Sequence, residues 1–221
     1  MPKKYDAVIF DLDGTLIDSG VLIAESVRRT FADYGLPVPE KKTVISYMGV
    51  PVEIYFEKLG GPEFLKLNSH DTYMLYHKYF RQMLDEGLLK SFPGIPGMLR
   101  DLQSAGIYTG VATSKHSKPA EYSCEKAGIS DCLDVIIGSD MVQAYKPAPD
   151  TVYKCLELLG IGCGKNVMVV GDAEGDIAMG NNAGAVTCCV TYGAHDEARL
   201  RKQNPDYIAD NAIDLRKLLL I

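Results

Sequence analysis

Residues 5–19 read YDAVIFDLDGTLIDS: an apolar run from Tyr5 to Phe10, followed by Asp11, Asp13 and Asp18 within a few positions. A short apolar run bounded by polar residues and glycine is the pattern of a buried strand. Two carboxylates one residue apart at the end of that strand are either a polar turn or a pair kept there for chemistry. The remainder of the chain decides between these readings.

From Phe92 onward, short apolar runs alternate with helical periods. Ile107–Thr113, Leu133–Gly138, Val167–Gly171, Val186–Thr191 and Tyr207–Ala209 read as strands. The intervals Met98–Ala105, Pro119–Ala127, Thr151–Leu159, Asp176–Ala183, Glu197–Lys202 and Leu215–Leu220 read as helices. That alternation predicts βαβ units and an α/β fold with a Rossmann-like open parallel sheet. Between the first strand and about Lys90 the periodicity is helical, with no convincing strand, so this block is expected to be an inserted helical unit. Its first helix is expected to use Asp18 or Ser19 as cap, to bury Leu22, Ile23, Val27, Phe31 and Tyr34, and to stop at Gly35 before Pro37. Further helices are expected across Pro51–Leu59 and Thr72–Leu84, where Tyr73, Tyr76, Tyr79 and Phe80 form a packing stripe.

The polar residues that interrupt this pattern fall at strand C-terminal ends: Asp11 and Asp13, then Thr113 and Ser114, then Asp172. Lys146 follows another strand by a short loop. Ligands of open parallel sheets bind outside the carboxyl ends of the strands, so these groups are expected to converge. Crowded carboxylates repel one another unless a cation sits among them, and an all-oxygen donor set favours Mg²⁺. With a lysine and a hydroxyl added, the set suits a phosphoryl group. One carboxylate can then attack phosphorus to form an aspartyl-phosphate, while the other moves protons to the leaving oxygen and from water. Gly14 leaves room for close approach of the backbone.

Four segments together resemble the haloacid dehalogenase-like phosphohydrolase superfamily, in order and over nearly the whole chain: DLDGTL (11–16), VATSK (111–115), KPAPD (146–150) and GDAEGD (171–176). The resemblance implies that Asp11 is the nucleophile and Asp13 the general acid/base, with Thr113 and Lys146, supported by Ser114 and Gly14, binding phosphate. It implies Mg²⁺ held by Asp11, the Asp13 carbonyl and Asp172, with Asp176 close by. Residues 1–16 and 91–221 then correspond to the core, and 17–90 to a helical cap. DLDGTLIDS, FPGIPGML, KPAPD and VTYGA are most similar to the phosphoglycolate phosphatase branch, which makes 2-phosphoglycolate the expected substrate. The related β-phosphoglucomutase branch carries a histidine in its first cap helix, whereas Val21–Glu25 has none, and hydrolysis is expected over mutase action. Ser114 stands where that branch often has Asn. Sugar-phosphate mutase and inorganic pyrophosphatase are alternatives on the same site, and a non-catalytic phosphate-binding module is the alternative from another class.

His116, beside the second motif, is expected to touch substrate. Gly49 is either an interhelical turn or a cap loop reaching the site, and the resemblance favours the loop. Gly180, inside a helix, points to close packing on the sheet. Tyr47, Met48, Arg28 and Lys42 are the cap candidates for substrate contact. With 23 basic against 29 acidic residues the net charge is −6, which argues against a nucleic-acid surface. The six cysteines have no zinc-site spacing, and no segment resembles a signal peptide or a membrane span. A small-molecule phosphoester partner, a cytoplasmic location, and a monomer or homodimer are therefore expected.

Overall fold

The apolar run after Tyr5 forms β1 (Ala7–Phe10), in which all four side chains are buried. Burial on both faces is what a central parallel strand requires, and it explains why the run is apolar throughout rather than alternating. A computed structural model describes residues 3–220 of the chain. After β1 come the two-residue β2 (Ile17–Asp18) and the helices α1 (Gly20–Asp33), α2 (Lys41–Ile45), α3 (Val52–Phe64) and α4 (Ser69–Asp85). The two-residue β3 (Lys90–Ser91) leads into α5 (Ile95–Ser104), β4 (Tyr108–Ala112), α6 (Ser117–Lys126), β5 (Val135–Ile137) and α7 (Asp150–Leu159). The chain then continues through β6 (Val167–Gly171), α8 (Glu174–Ala183), β7 (Val186–Val190), α9 (Glu197–Arg201), β8 (Tyr207–Ala209) and α10 (Ala212–Leu220).

Six strands form one parallel sheet in the order β5-β4-β1-β6-β7-β8. The chain runs outward from β1 through β4 to β5, then returns to the other side of β1 as β6. The strand order therefore reverses at β1, and the crevice at its carboxyl end is where ligands of such sheets bind. Alternate residues of β1 feed two separate cores. Ala7 and Ile9 pack in the layer with Val152 and Leu156 of α7 and Met179 of α8. Val8 and Phe10 pack in the layer with Leu99 and Leu102 of α5 and Leu215 of α10.

The helical cap, α1 to α4, is joined to the core by an antiparallel ribbon pairing Ile17 with Ser91 and Asp18 with Lys90. Sequence periodicity finds no strand here because two-residue strands carry no alternation to detect. The five-residue α2 also lies below the length at which a helical period registers. Within the cap, Phe31, Phe56 and Tyr76 make edge-to-face contacts, with centroids 5.7 Å apart for Phe31–Phe56 and 5.6 Å for Phe56–Tyr76.

Two expectations about the cap hold in part. Ser19 stands at the N-cap of α1, but neither it nor Asp18 caps the helix through its side chain; Asp18 belongs to β2, and the Ser19 hydroxyl is spent on Asp13. In the aromatic stripe of α4, only Tyr76 and Phe80 are core. Tyr73 turns to the cleft beside the core domain and Tyr79 bonds Asp33 at the surface, because helical spacing spreads these four positions over more than one face. Gly180 does pack against the sheet: a Cβ there would lie 2.6 Å from Thr187 Cγ2 and 2.9 Å from Val169 Cβ.

Candidate active site

Three neighbouring strands each deliver a polar residue just past their last paired position: Asp11 after β1, Thr113 after β4 and Asp172 after β6. The backbone ladder continues into two of them, with the Asp11 amide donating to the Val170 carbonyl at 2.8 Å and the Thr113 amide to Ile137 at 3.0 Å. Asp176 joins from the first turn of α8, and Lys146 from the segment before α7. Asp11, Asp172 and Asp176 can each offer a carboxylate oxygen within 4.8 Å of the others, and all three are buried. Lys146 Nζ donates to Asp11 and, at 2.6 Å, to Asp176 Oδ1. The sequence-predicted groups Asp11, Lys146, Asp172 and Asp176 therefore form one buried cluster.

Each member is held by bonds that fix its direction. The Thr15 hydroxyl donates to Asp172 Oδ1 at 2.8 Å, and the Ala194 amide donates to Asp172 Oδ2 at 2.7 Å. Asp176 Oδ2 accepts from the Ala173 amide at 2.8 Å, so one carboxylate both satisfies the start of α8 and pairs with Lys146. Glycine is required where these carboxylates crowd the backbone. Gly14 has φ of +95°, and a Cβ there would lie 2.1 Å from Asp172 Oδ2. The room that Gly14 leaves is thus filled by Asp172.

Electrostatics follow from burial. Removal from water pushes the Asp11 carboxyl well above the usual carboxylate range; Lys146 opposes this, and the charges of Asp176 and Asp172 add to it. Burial followed by the charge of Asp176 raises Asp172 to about 7. For Lys146, burial favours the neutral amine, but the charges of Asp11 and Asp176 reverse that and hold it protonated. Three carboxylates with one ammonium leave the cluster short of positive charge. That deficit, the oxygen-only donor set and the 4.8 Å spacing fit a small hard divalent cation such as Mg²⁺.

Asp13 is turned elsewhere. Its Oδ1 accepts from Ser19 Oγ at 2.6 Å and from Lys115 Nζ at 2.8 Å. Asp11, Asp13, Thr113, Ser114 and His116 all line one narrow cleft of about 50 Å³, roofed by Met48, Gly49 and Tyr55 of the cap. The Ser114 hydroxyl donates to the Gly49 carbonyl at 2.8 Å, so Gly49 is the tip of a cap loop that reaches the core. His116 Nδ1 lies 2.7 Å from the Tyr73 hydroxyl, and its Nε2 is 3.4 Å from Glu53. Of the four cap candidates, Met48 lines the cleft. Arg28 bonds the Pro39 carbonyl, Lys42 pairs with Glu40 at the surface, and Tyr47 packs beside Tyr55 and lines a separate cavity with Lys146 and Glu174. Sequence reading missed Thr15, Ser19 and Lys115 as partners of the acids, although all three lie in or beside the motifs. It also missed Glu53, Tyr73 and His77, for which the sequence holds no local signal.

An open parallel sheet with acids, a lysine and a hydroxyl at its switch point, covered by an inserted helical cap, defines a capped α/β phosphohydrolase-type fold. A family profile described as haloacid dehalogenase-like hydrolase matches residues 8–190, and the chain belongs to that family. It is 32% identical over 96% of its length to a protein of Aquifex aeolicus named phosphoglycolate phosphatase, covering 95% of that protein. It is 31% identical, over 96% of its length and 95% of the relative's, to a protein of Halalkalibacterium halodurans named pyrophosphatase PpaX. Among solved structures, a haloacid dehalogenase-like hydrolase of Streptococcus pneumoniae superposes with a TM-score of 0.83 at 25% identity, covering 97% of this chain and 98% of that one.

Proposed function

We propose that the chain is a Mg²⁺-dependent phosphatase that hydrolyses a small phosphorylated metabolite through an aspartyl-phosphate at Asp11, with residues 17–90 acting as its cap. The observation that carries this reading is the buried Asp11–Lys146–Asp176 chain beside Asp172, which meets through Asp11 a cleft that also presents Asp13 and Thr113. Asp11, Asp172 and the main-chain carbonyl of Asp13 would hold the cation, with Asp176 behind them. Bound there, it supplies the positive charge that offsets the phosphoryl oxygens.

An Asp11 carboxylate oxygen forms the new bond to phosphorus as the bond to the leaving oxygen breaks, and Asp13 gives that oxygen its proton. Water then attacks phosphorus, Asp13 takes the water proton, and Asp11 is released with inorganic phosphate. Lys146 orients Asp11 and neutralises charge on the transferring group, and the Thr113 hydroxyl binds a phosphoryl oxygen together with nearby amides. Cap closure excludes bulk water during the first step.

The resemblance of the sequence and the Aquifex relative favour 2-phosphoglycolate as substrate, whereas the PpaX relative favours pyrophosphate. The absence of histidine from Val21–Glu25 supports hydrolysis over mutase action. Phosphate release from p-nitrophenyl phosphate, phosphoglycolate and pyrophosphate should require Mg²⁺. Asp11→Asn should reduce it by about 10³-fold or more while circular dichroism stays unchanged. Retained turnover in that variant would rule out Asp11 as nucleophile.

A further inference from the structure

The leaving-group side of the cleft is built by the cap, and its charges can be accounted for residue by residue. Among the described residues the cap contributes one charged side chain to this lining, Glu53, which shares it with Tyr55, Tyr73 and Tyr76. Lys115, the lining lysine from the core, is already committed: its side chain is 6% exposed, its Nζ is 2.8 Å from Asp13 Oδ1, and it sits 4.4 Å from the centre of the Phe80 ring. His116 is held between cap residues, its Nδ1 2.7 Å from the Tyr73 hydroxyl and its Nε2 3.4 Å from Glu53 itself. His77 is neutral, its imidazole pushed down to about 3 by burial and by the charge of Lys115. Arg81 and Lys118 line the adjoining groove beyond Tyr73 and His116, where Arg81 covers the Tyr122 ring at 4.7 Å.

A second anionic group on the substrate, whether a carboxylate or a further phosphate, would therefore face Glu53 with no uncommitted cationic side chain among the described residues of the cleft. An ionised carboxylate accepts hydrogen bonds and donates none, and tyrosine faces suit C–H surfaces and ammonium groups. Resting on the phosphatase reading above, we infer that the leaving group carries no negative charge of its own. It is an alcohol bearing hydrogen-bond donors, a polyol or an amino alcohol, which Glu53 recognises as acceptor.

The test compares kcat/KM with Mg²⁺ for glycerol 3-phosphate, phosphoethanolamine, phosphoglycolate and pyrophosphate, in the wild type and in Glu53→Gln and Glu53→Lys. The better of the first two should exceed both anionic substrates by about tenfold or more in the wild type. Glu53→Lys should shrink that ratio by about tenfold, mainly through KM, and Glu53→Gln by less. The wild-type comparison stands even if a variant fails to fold. Preference for phosphoglycolate or pyrophosphate overturns the inference while leaving the phosphatase reading intact, and an unchanged ratio in Glu53→Lys overturns it as well. Release of phosphate from none of the four, nor from p-nitrophenyl phosphate, overturns both readings together.

Discussion

Burying three carboxylates around one ammonium is unfavourable unless every oxygen is accounted for, and the hydrogen bonds around Asp172 and Asp176 show how that is managed. Lys146 is the member whose loss costs most, since among the described residues it alone pairs its positive charge with Asp11 and Asp176. Lys146→Met in metal-free buffer should lose about 3–5 kcal/mol of stability in urea titrations, as expected for an orphaned buried charge. The double variant Asp11→Asn/Lys146→Met should lose less than the sum of the singles, because the two residues share one interaction. At this scale the sequence was informative about identity: Asp11, Asp13, Thr113, Lys146 and Asp172 are recognisable from their types and motif positions. The orientation of each was not legible. Asp13 looks like a twin of Asp11 in sequence, yet it points to Ser19 and Lys115, a partnership that depends on where α1 and α6 begin.

Element geometry is set by close contacts that no side-chain pattern reveals. Helix α8 lies against β6 and β7 closely enough that Gly180 has no space for a methyl group, and it presents Asp176 from its first turn. In an exposed helix, Gly→Ala would stabilise by about 1 kcal/mol. Here the added Cβ meets the β-branched Val169 and Thr187, both fixed in the sheet, so overpacking wins over propensity. Gly180→Ala is expected to be destabilising by about 1–2 kcal/mol in denaturant titrations and, on the proposed Mg²⁺-dependent reading, to raise the Mg²⁺ needed for activity, because α8 must shift and carry Asp176 with it. The long elements were legible for a simple reason: central parallel strands are buried on both faces and read as unbroken apolar runs. The β2–β3 ribbon and α2 were not, being too short for either period and dependent on a partner far along the chain.

Across the whole molecule, the cap is tied to the core by polar contacts spread around the cleft: Ser114 to Gly49, His116 to Tyr73, Tyr122 to Asp85 and Arg199 to Ser46. Between them lies His77, whose folded imidazole is lowered to about 3 by burial and by Lys115 from an unfolded value near 6.5. The unfolded chain therefore binds the proton more readily below pH 6.5, so this histidine makes stability fall as pH drops from about 6.5 towards 3. Between pH 6 and pH 4 the wild type should lose about 2–2.5 kcal/mol more than His77→Gln, read by thermal or urea unfolding at each pH. An equal loss in both proteins would show that the imidazole is protonated in the folded state. What the sequence by itself determined is the α/β class and, through motif resemblance, the family and the candidate site residues, since these rest on periodicity and local motifs. What only the tertiary structure decided is which acid faces which partner, which aromatics of α4 leave the core for the cleft, and that Glu53 stands there without an uncommitted cationic side chain among the described residues. Those outcomes depend on through-space neighbours brought together from separate elements, and no spacing along the chain encodes them.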